Sequence, residues 1–351
     1  MSGPAVTWLQ VAISGQLPKY TDNLRGRKHR KELLHVLSLM LDYQHVALLG
    51  DLSMDALSLI PAAELSSGRL TRLLNRVYAD YYLPVWLDPY QFERMCVDMD
   101  VDLRHSVVAT VDGREVGLAL LSRRGLEGWV SGVGVRPTYR RRGIARRMMA
   151  YVQKEAEAKG LRRLRLEVLQ QNEGATRLYE QLGFSWERDL LVMTFAGDTF
   201  PPLSPPPEVA PAQPASLLKA HRPFHPCAPS WQRDLPSLER RAPQLKGLAL
   251  WQEERLVGYT LYRPRRDAVT IMDLAVDPAH PHKVRTAQRL LQALHGSRPS
   301  VSGTITNIPA LDPLLPAFID FGYQMWQRQY EMIWTVRPAA GDQDLPSKTV
   351  L

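Results

Sequence analysis

The chain has 351 residues, 45% of them hydrophobic and 23% charged, which fits two domains of ordinary size and excludes collagen, coiled coil and wholesale disorder. No run approaches about 18 apolar residues, so no membrane span is expected. Two cysteines, Cys96 and Cys227, exclude a disulfide framework or a four-cysteine zinc site and suit a reducing, cytoplasmic setting. The net charge of +8 is spread as +2 over residues 1–54, +2 over 55–198 and +4 over 199–351. Such a balance favours anionic ligands without indicating nucleic acid.

Residues 1–54 read as an N-terminal extension. They carry a weak apolar stretch at Ala5–Ile13 with no basic flank, a basic cluster at Arg25–Lys31, and a short helix through Leu33–Leu41. A strand is expected at Ala56–Ile60, then a helix over Arg69–Tyr82 with Leu70, Leu73, Leu74 and Val77 on one face. Asp88 and Pro89 make an N-cap and first-turn pair for a second helix. Asp112-Gly113 joins strands Ser106–Val111 and Glu115–Leu121 as a hairpin. A strand at Trp129–Val135 precedes a long helix over Arg140–Lys159, ended by Gly160. Another strand spans Arg163–Leu169. Asn172 then caps a helix stopped by Gly183, and a last strand covers about Asp189–Thr194.

The run Phe200–Pro214 is rich in proline, which fixes φ and removes a backbone donor. Residues 199–216 are therefore expected to be a semi-extended linker, and residues 339–351 a polar tail.

The chemistry concentrates where the strand ending Val133-Gly134-Val135 meets the loop Arg140-Arg141-Arg142-Gly143-Ile144-Ala145-Arg146 and a helix. Consecutive backbone N–H groups and a helix N-terminus favour a phosphate or pyrophosphate. Gly143 allows close approach, and the arginines add cationic donors. The pattern is not a P-loop, because G-x-x-x-x-G-K-[ST] is absent. An ordinary solvated basic helix start is the bland alternative.

Together with the segment Asn172-Glu173-Gly174-Ala175-Thr176-Arg177-Leu178-Tyr179-Glu180-Gln181-Leu182-Gly183-Phe184, this loop resembles the GCN5-related N-acetyltransferase (GNAT) superfamily over residues 55–198. Arg140–Ala145 matches its acetyl-CoA-binding motif [Q/R]-x-x-G-x-[G/A]. The resemblance implies that the backbone of Arg141–Arg146 holds the pyrophosphate of acetyl-CoA. It also implies that Val133, Gly134 and Val135 pair with the pantetheine arm, and that Asn172 touches the cofactor, although helix capping explains Asn172 equally well. Tyr179 would be the general acid; packing as a core aromatic is its alternative. Glu167 is a candidate base, although strand alternation groups it with Arg165 as a surface pair. Gly132 and Gly134 leave room for a ligand or for a neighbouring element. Trp86, Tyr81, Tyr82 and Tyr90 cluster where this family shapes its acceptor pocket.

Residues 217–338 read as a degenerate repeat. Val257-Gly258, Val276-Asp277-Pro278 and Phe321-Gly322-Tyr323 echo Val116-Gly117, Val135-Arg136-Pro137 and Leu182-Gly183-Phe184. The loop there is Pro281–Thr286, without glycine, and Phe318 stands where Tyr179 stood. His221, His225, His280 and His282 lie among prolines with no acidic partner at helical spacing, so no metal is expected.

The expectation is an α/β (α+β) protein of two tandem GNAT-like acyl-CoA N-acyltransferase domains, each a mixed, mostly antiparallel sheet flanked by helices. It would comprise residues 1–54 as extension, 55–198 as catalytic domain, 199–216 as linker, 217–338 as degenerate domain and 339–351 as tail. The function implied is transfer of an acetyl group from acetyl-CoA to a small-molecule or protein amine in a ternary complex, with no membrane or nucleic-acid partner and with a homodimer allowed for. The alternative is an acyl-CoA-binding sensor or scaffold without turnover.

Overall fold

The computed structural model describes residues 57–80, 86–197, 204–296 and 301–336. The extension 1–54, its Arg25–Lys31 cluster, and the tail 339–351 lie outside those residues, as do Ala56, Tyr81 and Tyr82.

The first half runs β1 (Leu57–Pro61), α1 (Ser67–Val77), α2 (Pro89–Met99), β2 (Val107–Val111), β3 (Arg114–Arg124), β4 (Glu127–Val135), α3 (Ile144–Ala158), β5 (Arg163–Leu169), α4 (Glu173–Gln181) and β6 (Ser185–Phe195). The second half runs β7 (Val209–Ala212), α5 (Pro214–Leu217), α6 (His221–Phe224), α7 (Leu235–Arg241), β8 (Lys246–Gln252), β9 (Arg255–Pro264), β10 (Ala268–Val276), α8 (Lys283–Gly296), β11 (Ser302–Pro309), α9 (Leu315–Asp320) and β12 (Gln324–Thr335). The same succession of strands and crossover helices thus occurs twice.

Local chemistry accounts for most boundaries. Asp88 and Gln91 form a reciprocal capping box at α2, with Pro89 in the first turn. Asp112 and Gly113 both have positive φ, 49° and 73°, as the tight β2–β3 hairpin requires. Two helices are shorter than expected. α1 ends at Val77 with Tyr78 as its C-cap. α3 starts at Ile144 rather than Arg140, because Arg141 and Gly143 take left-handed φ values of 66° and 73° that no right-handed helix accommodates.

All strands join one sheet of order β1-β2-β3-β4-β5-β12-β6-β11-β10-β9-β8-β7. Only β4–β5 and β10–β11 are parallel. The proline run holds a strand after all. Val209–Ala212 pairs antiparallel with β8 at the outer edge, where Pro211 needs no second partner.

The halves exchange their last strands. β12 lies between β5 and β6, and Met332 on it joins the core containing Tyr179 and Phe184. Conversely Leu191, Met193 and Phe195 of β6 belong to the core under α8 and α9. In the first half, alternate residues of β3 face opposite ways. Ala119 and Leu121 pack with α3 and α4, whereas Leu118 and Leu120 pack with α1 and α2.

Candidate active site

β4 and β5 pair only from Glu127↔Arg163 to Trp129↔Arg165 and then part. On its other side β4 follows β3, with a register shift that leaves Ser131 as an extra residue opposite Leu120 and Leu121. The parted end of β4, the loop after it and the start of α4 enclose a cleft of about 1230 Å³, open to solvent.

Its wall includes Val133, Gly134, Val135, Arg140, Arg141, Gly143, Ile144, Ala145, Arg146, Asn172 and Tyr179. Eleven expected site residues therefore meet in one place; Arg142 and Glu167 are not part of that wall.

Ile144, Ala145 and Arg146 open α3, so their N–H groups have no acceptor within the helix. The left-handed Arg141 and Gly143 turn the preceding backbone toward the same side. A Cβ built on Gly143 meets nothing within 4 Å, so the loop faces open space there. These groups fit a pyrophosphate.

The arginines divide. Arg140 does not offer its guanidinium to the cleft. Its Nε donates to Val135 O at 2.9 Å, one Nη donates to Val77 O at 3.2 Å, and both Nη groups hold Asp80 at 2.6 and 2.8 Å. It is a strut between β4 and the end of α1, which corrects its expected role as a phosphate donor. Arg142 donates to Thr138 O at 3.5 Å and lies 5.5 Å from the Tyr139 ring centroid. Arg146 contacts Gln181. Arg141 is exposed at the cleft.

Tyr179 is buried on α4, its ring 6.0 Å from that of Phe184. Burial, with the neighbouring Tyr78, pushes its phenol above the ordinary tyrosine range, so it holds its proton at neutral pH. Asn172 is also buried and caps α4, accepting from Ala175 N at 3.3 Å.

Glu167 departs from expectation. It is no surface partner of Arg165 but wholly buried against Trp129, on which Trp231 stacks, and Gln232. Its Oε2 accepts from Trp129 Nε1 at 2.7 Å and from Gln232 Nε2 at 3.4 Å, while Oε1 has no partner. Burial and the charge of Glu331 push its carboxyl up to about 8. Sealed from the cleft, it cannot touch an acceptor amine, which corrects its candidacy as base.

Gly132 and Gly134 make room for α1 rather than directly for a ligand. A Cβ on Gly134 would stand 2.7 Å from Val77 Cγ2, and one on Gly132 3.3 Å from the Tyr78 hydroxyl. Sequence reasoning missed Tyr78, which donates to Val133 O at 3.4 Å from the opposite side of β4. Its only signal was a tyrosine at the end of an amphipathic helix. Of the aromatic residues near α2, Trp86 and Tyr90 are each 70% exposed, and Tyr81 and Tyr82 lie outside the described residues.

In the second half, the corresponding cavity is about 400 Å³, lined by Leu274–Val276, His225, Cys227 and Lys283 among others. His225 does find an acid, brought from β10 rather than from its own helix. Asp273 accepts from His225 Nε2 at 3.1 Å, Arg233 Nη2 at 3.1 Å and Tyr259 Oη at 2.8 Å. His225 Nδ1 donates to His221 O at 2.7 Å, so both ring nitrogens donate and the ring is an imidazolium. Burial works against that charge, but Asp273 holds the imidazole above its usual range. His221, His225 and Asp273 could geometrically ligate a metal. With a guanidinium on the same carboxylate, however, the donor set is that of an internal ion-pair cluster.

Among known proteins, the sequence profile of the acetyltransferase (GNAT) family matches residues 71–184. Acetyltransferase SG1711 of Sodalis glossinidius is 31% identical over 108 residues, covering 31% of this chain and 75% of that protein. The crystal structure of a GCN5-related N-acetyltransferase from Sphaerobacter thermophilus superposes with a TM-score of 0.62 at 18% identity, over 81% of this chain and 97% of that one. A tandem GNAT protein from the clavulanic acid biosynthesis pathway gives 0.59 at 16% identity, over 81% and 99%. These structures share the fold of both halves. Among the described residues no helix is long and apolar enough to cross a membrane.

Proposed function

We propose, from the premise that this chain belongs to the acetyltransferase (GNAT) family, that it transfers an acetyl group from acetyl-CoA to a primary amine in the first-half cleft. The observation that carries this reading is the convergence there of a parted strand edge, a left-handed glycine loop at a helix N-terminus, and a protonated buried phenol.

Acetyl-CoA would supply the activated acyl carbon as co-substrate. The N–H groups of Ile144, Ala145 and Arg146 bind its pyrophosphate. The unpaired backbone of β4 around Val133–Val135 orients the pantetheine arm and offers N–H donors to the developing oxyanion. A neutral amine attacks the carbonyl carbon, the carbon–sulfur bond breaks, and Tyr179 gives its proton to the departing sulfur. With Glu167 sealed away, water in the open cleft takes the proton of the amine. The acceptor is a small-molecule or protein amine.

The second half is read as lacking transfer activity. Phe318 has no hydroxyl, Pro316 sits in the short α9, and the cavity is about a third as large.

Titration calorimetry with acetyl-CoA tests the reading. One site per chain is expected. Gly143→Val should abolish binding, because a β-branched residue at φ 73° would rebuild the loop. Two sites would overturn the assignment of the second half, and unchanged affinity in the variant would overturn the loop.

A further inference from the structure

The outer side of α1 carries Arg69, Arg72 and Arg76, spaced so that all three leave the helix on one face. Between them and Glu115 of β3 lies a concavity of about 370 Å³, open to solvent and floored by Leu73. One carboxylate thus serves three guanidinium groups. Arg69 Nε donates to Glu115 Oε1 at 2.8 Å, and its Nη2 contacts the same oxygen. Burial opposes ionisation of Glu115, but the Arg69 hydrogen bond and the charges of Arg69 and Arg76 hold its carboxyl below the usual range. The pair is therefore ionised at neutral pH, and the site keeps two positive charges.

Local pairing does not absorb them. Arg72 and Arg76 are exposed, and neither enters an ion pair within the described residues. The acid one turn beyond Arg76 is Asp80, and both its oxygens are held by Arg140. Like charges four residues apart cost a helix a few tenths of a kcal/mol. An oxyanion between the two forks would reverse that cost and could be bound bidentately. The cleft takes Val77 from the buried side of α1, so the two concavities lie on different faces of one helix.

We propose that Arg72 and Arg76, backed by the Arg69–Glu115 pair, form a binding site for an oxyanion of the phosphate class, separate from the pyrophosphate cradle at Arg141–Arg146. The carrier is free phosphate or a phosphorylated ligand other than the cofactor.

The test titrates inorganic phosphate into the full chain, followed by phosphorus NMR, with and without saturating acetyl-CoA. Saturable binding is expected to persist with acetyl-CoA present. It should weaken at least tenfold in the double variant Arg72→Gln, Arg76→Gln, whose exposed positions leave the fold and melting temperature intact, while acetyl-CoA affinity changes less than twofold. Arg104→Gln, at an exposed arginine elsewhere, should leave phosphate binding unchanged. Phosphate binding that is displaced by acetyl-CoA, or that survives the double substitution, would overturn the proposal. So would a tenfold loss of acetyl-CoA affinity in the variant, because the site would then hold the cofactor's own phosphate.

Discussion

Replacing Glu167 by glutamine should make the protein more resistant to alkali. In the folded chain the Glu167 carboxyl titrates at about 8 against an ordinary 4.5, because burial and Glu331 disfavour its charge. A raised folded pKa places the stabilising contribution on the acid side. It is fully present below the unfolded value and is lost as pH rises through the folded one. Between 4.5 and about 8 the unfolded chain ionises while the folded chain stays neutral, a span of about 3.5 units. At about 1.4 kcal/mol per unit, that costs about 5 kcal/mol of folding stability by pH 8, with little further change above it. Glutamine has no such titration, and its carbonyl can still accept from Trp129 Nε1. Glu331 keeps its own partner, accepting from Arg188 Nε at 2.5 Å. Urea unfolding of both proteins from pH 5 to 9 isolates the effect, since titrating groups that do not interact with Glu167 cancel in the difference. The variant should gain on the parent steadily between pH 5 and 8, ending about 4 kcal/mol ahead of its starting position. A difference that stays flat across this range would mean Glu167 is already a carboxylate in the fold, and the argument from burial would fail.

Tyr179→Phe should leave acetyl-CoA affinity within about twofold and lower turnover with any accepted amine by about a hundredfold, the ordinary yield of a positioned general acid; an unaltered rate would remove the phenol from the chemistry. Gly134→Ala should destabilise by about 1–3 kcal/mol, since the added Cβ would stand 2.7 Å from Val77 Cγ2. Val77→Ala should recover part of that loss, and a thermal-unfolding comparison showing no recovery would disconnect the two residues.

Features that depend on a few neighbouring residues were legible in the sequence. Asp88 and Asn172 cap helices because a short polar side chain reaches the free N–H groups of the next turn. The Asp112-Gly113 hairpin and the left-handed Gly183 follow from which residues tolerate positive φ. The strand–loop–helix around Gly143 and the helix bearing Tyr179 could be found the same way, and nearly all the expected cofactor contacts line one cleft.

Tertiary structure decided what lies across from each residue. Alternation along β5 put Glu167 with Arg165 on an open face, but that rule assumes solvent on one side, and Gln232 arrives from 65 residues away, beside Trp129, to cover it. Arg140 looked like one more phosphate donor until the end of α1 brought it Asp80 and the Val77 carbonyl. Asp273 is invisible as the partner of His225 because the contact joins β10 to a loop. Most of all, the repeat did not reveal that β12 enters the first half and β6 serves the core of the second. A chain's own sequence determines its short-range torsions and caps, because those energies are local. The choice of which strand fills the gap beside β5 is a competition among distant segments for the same edge, and it is settled only when the whole sheet has formed.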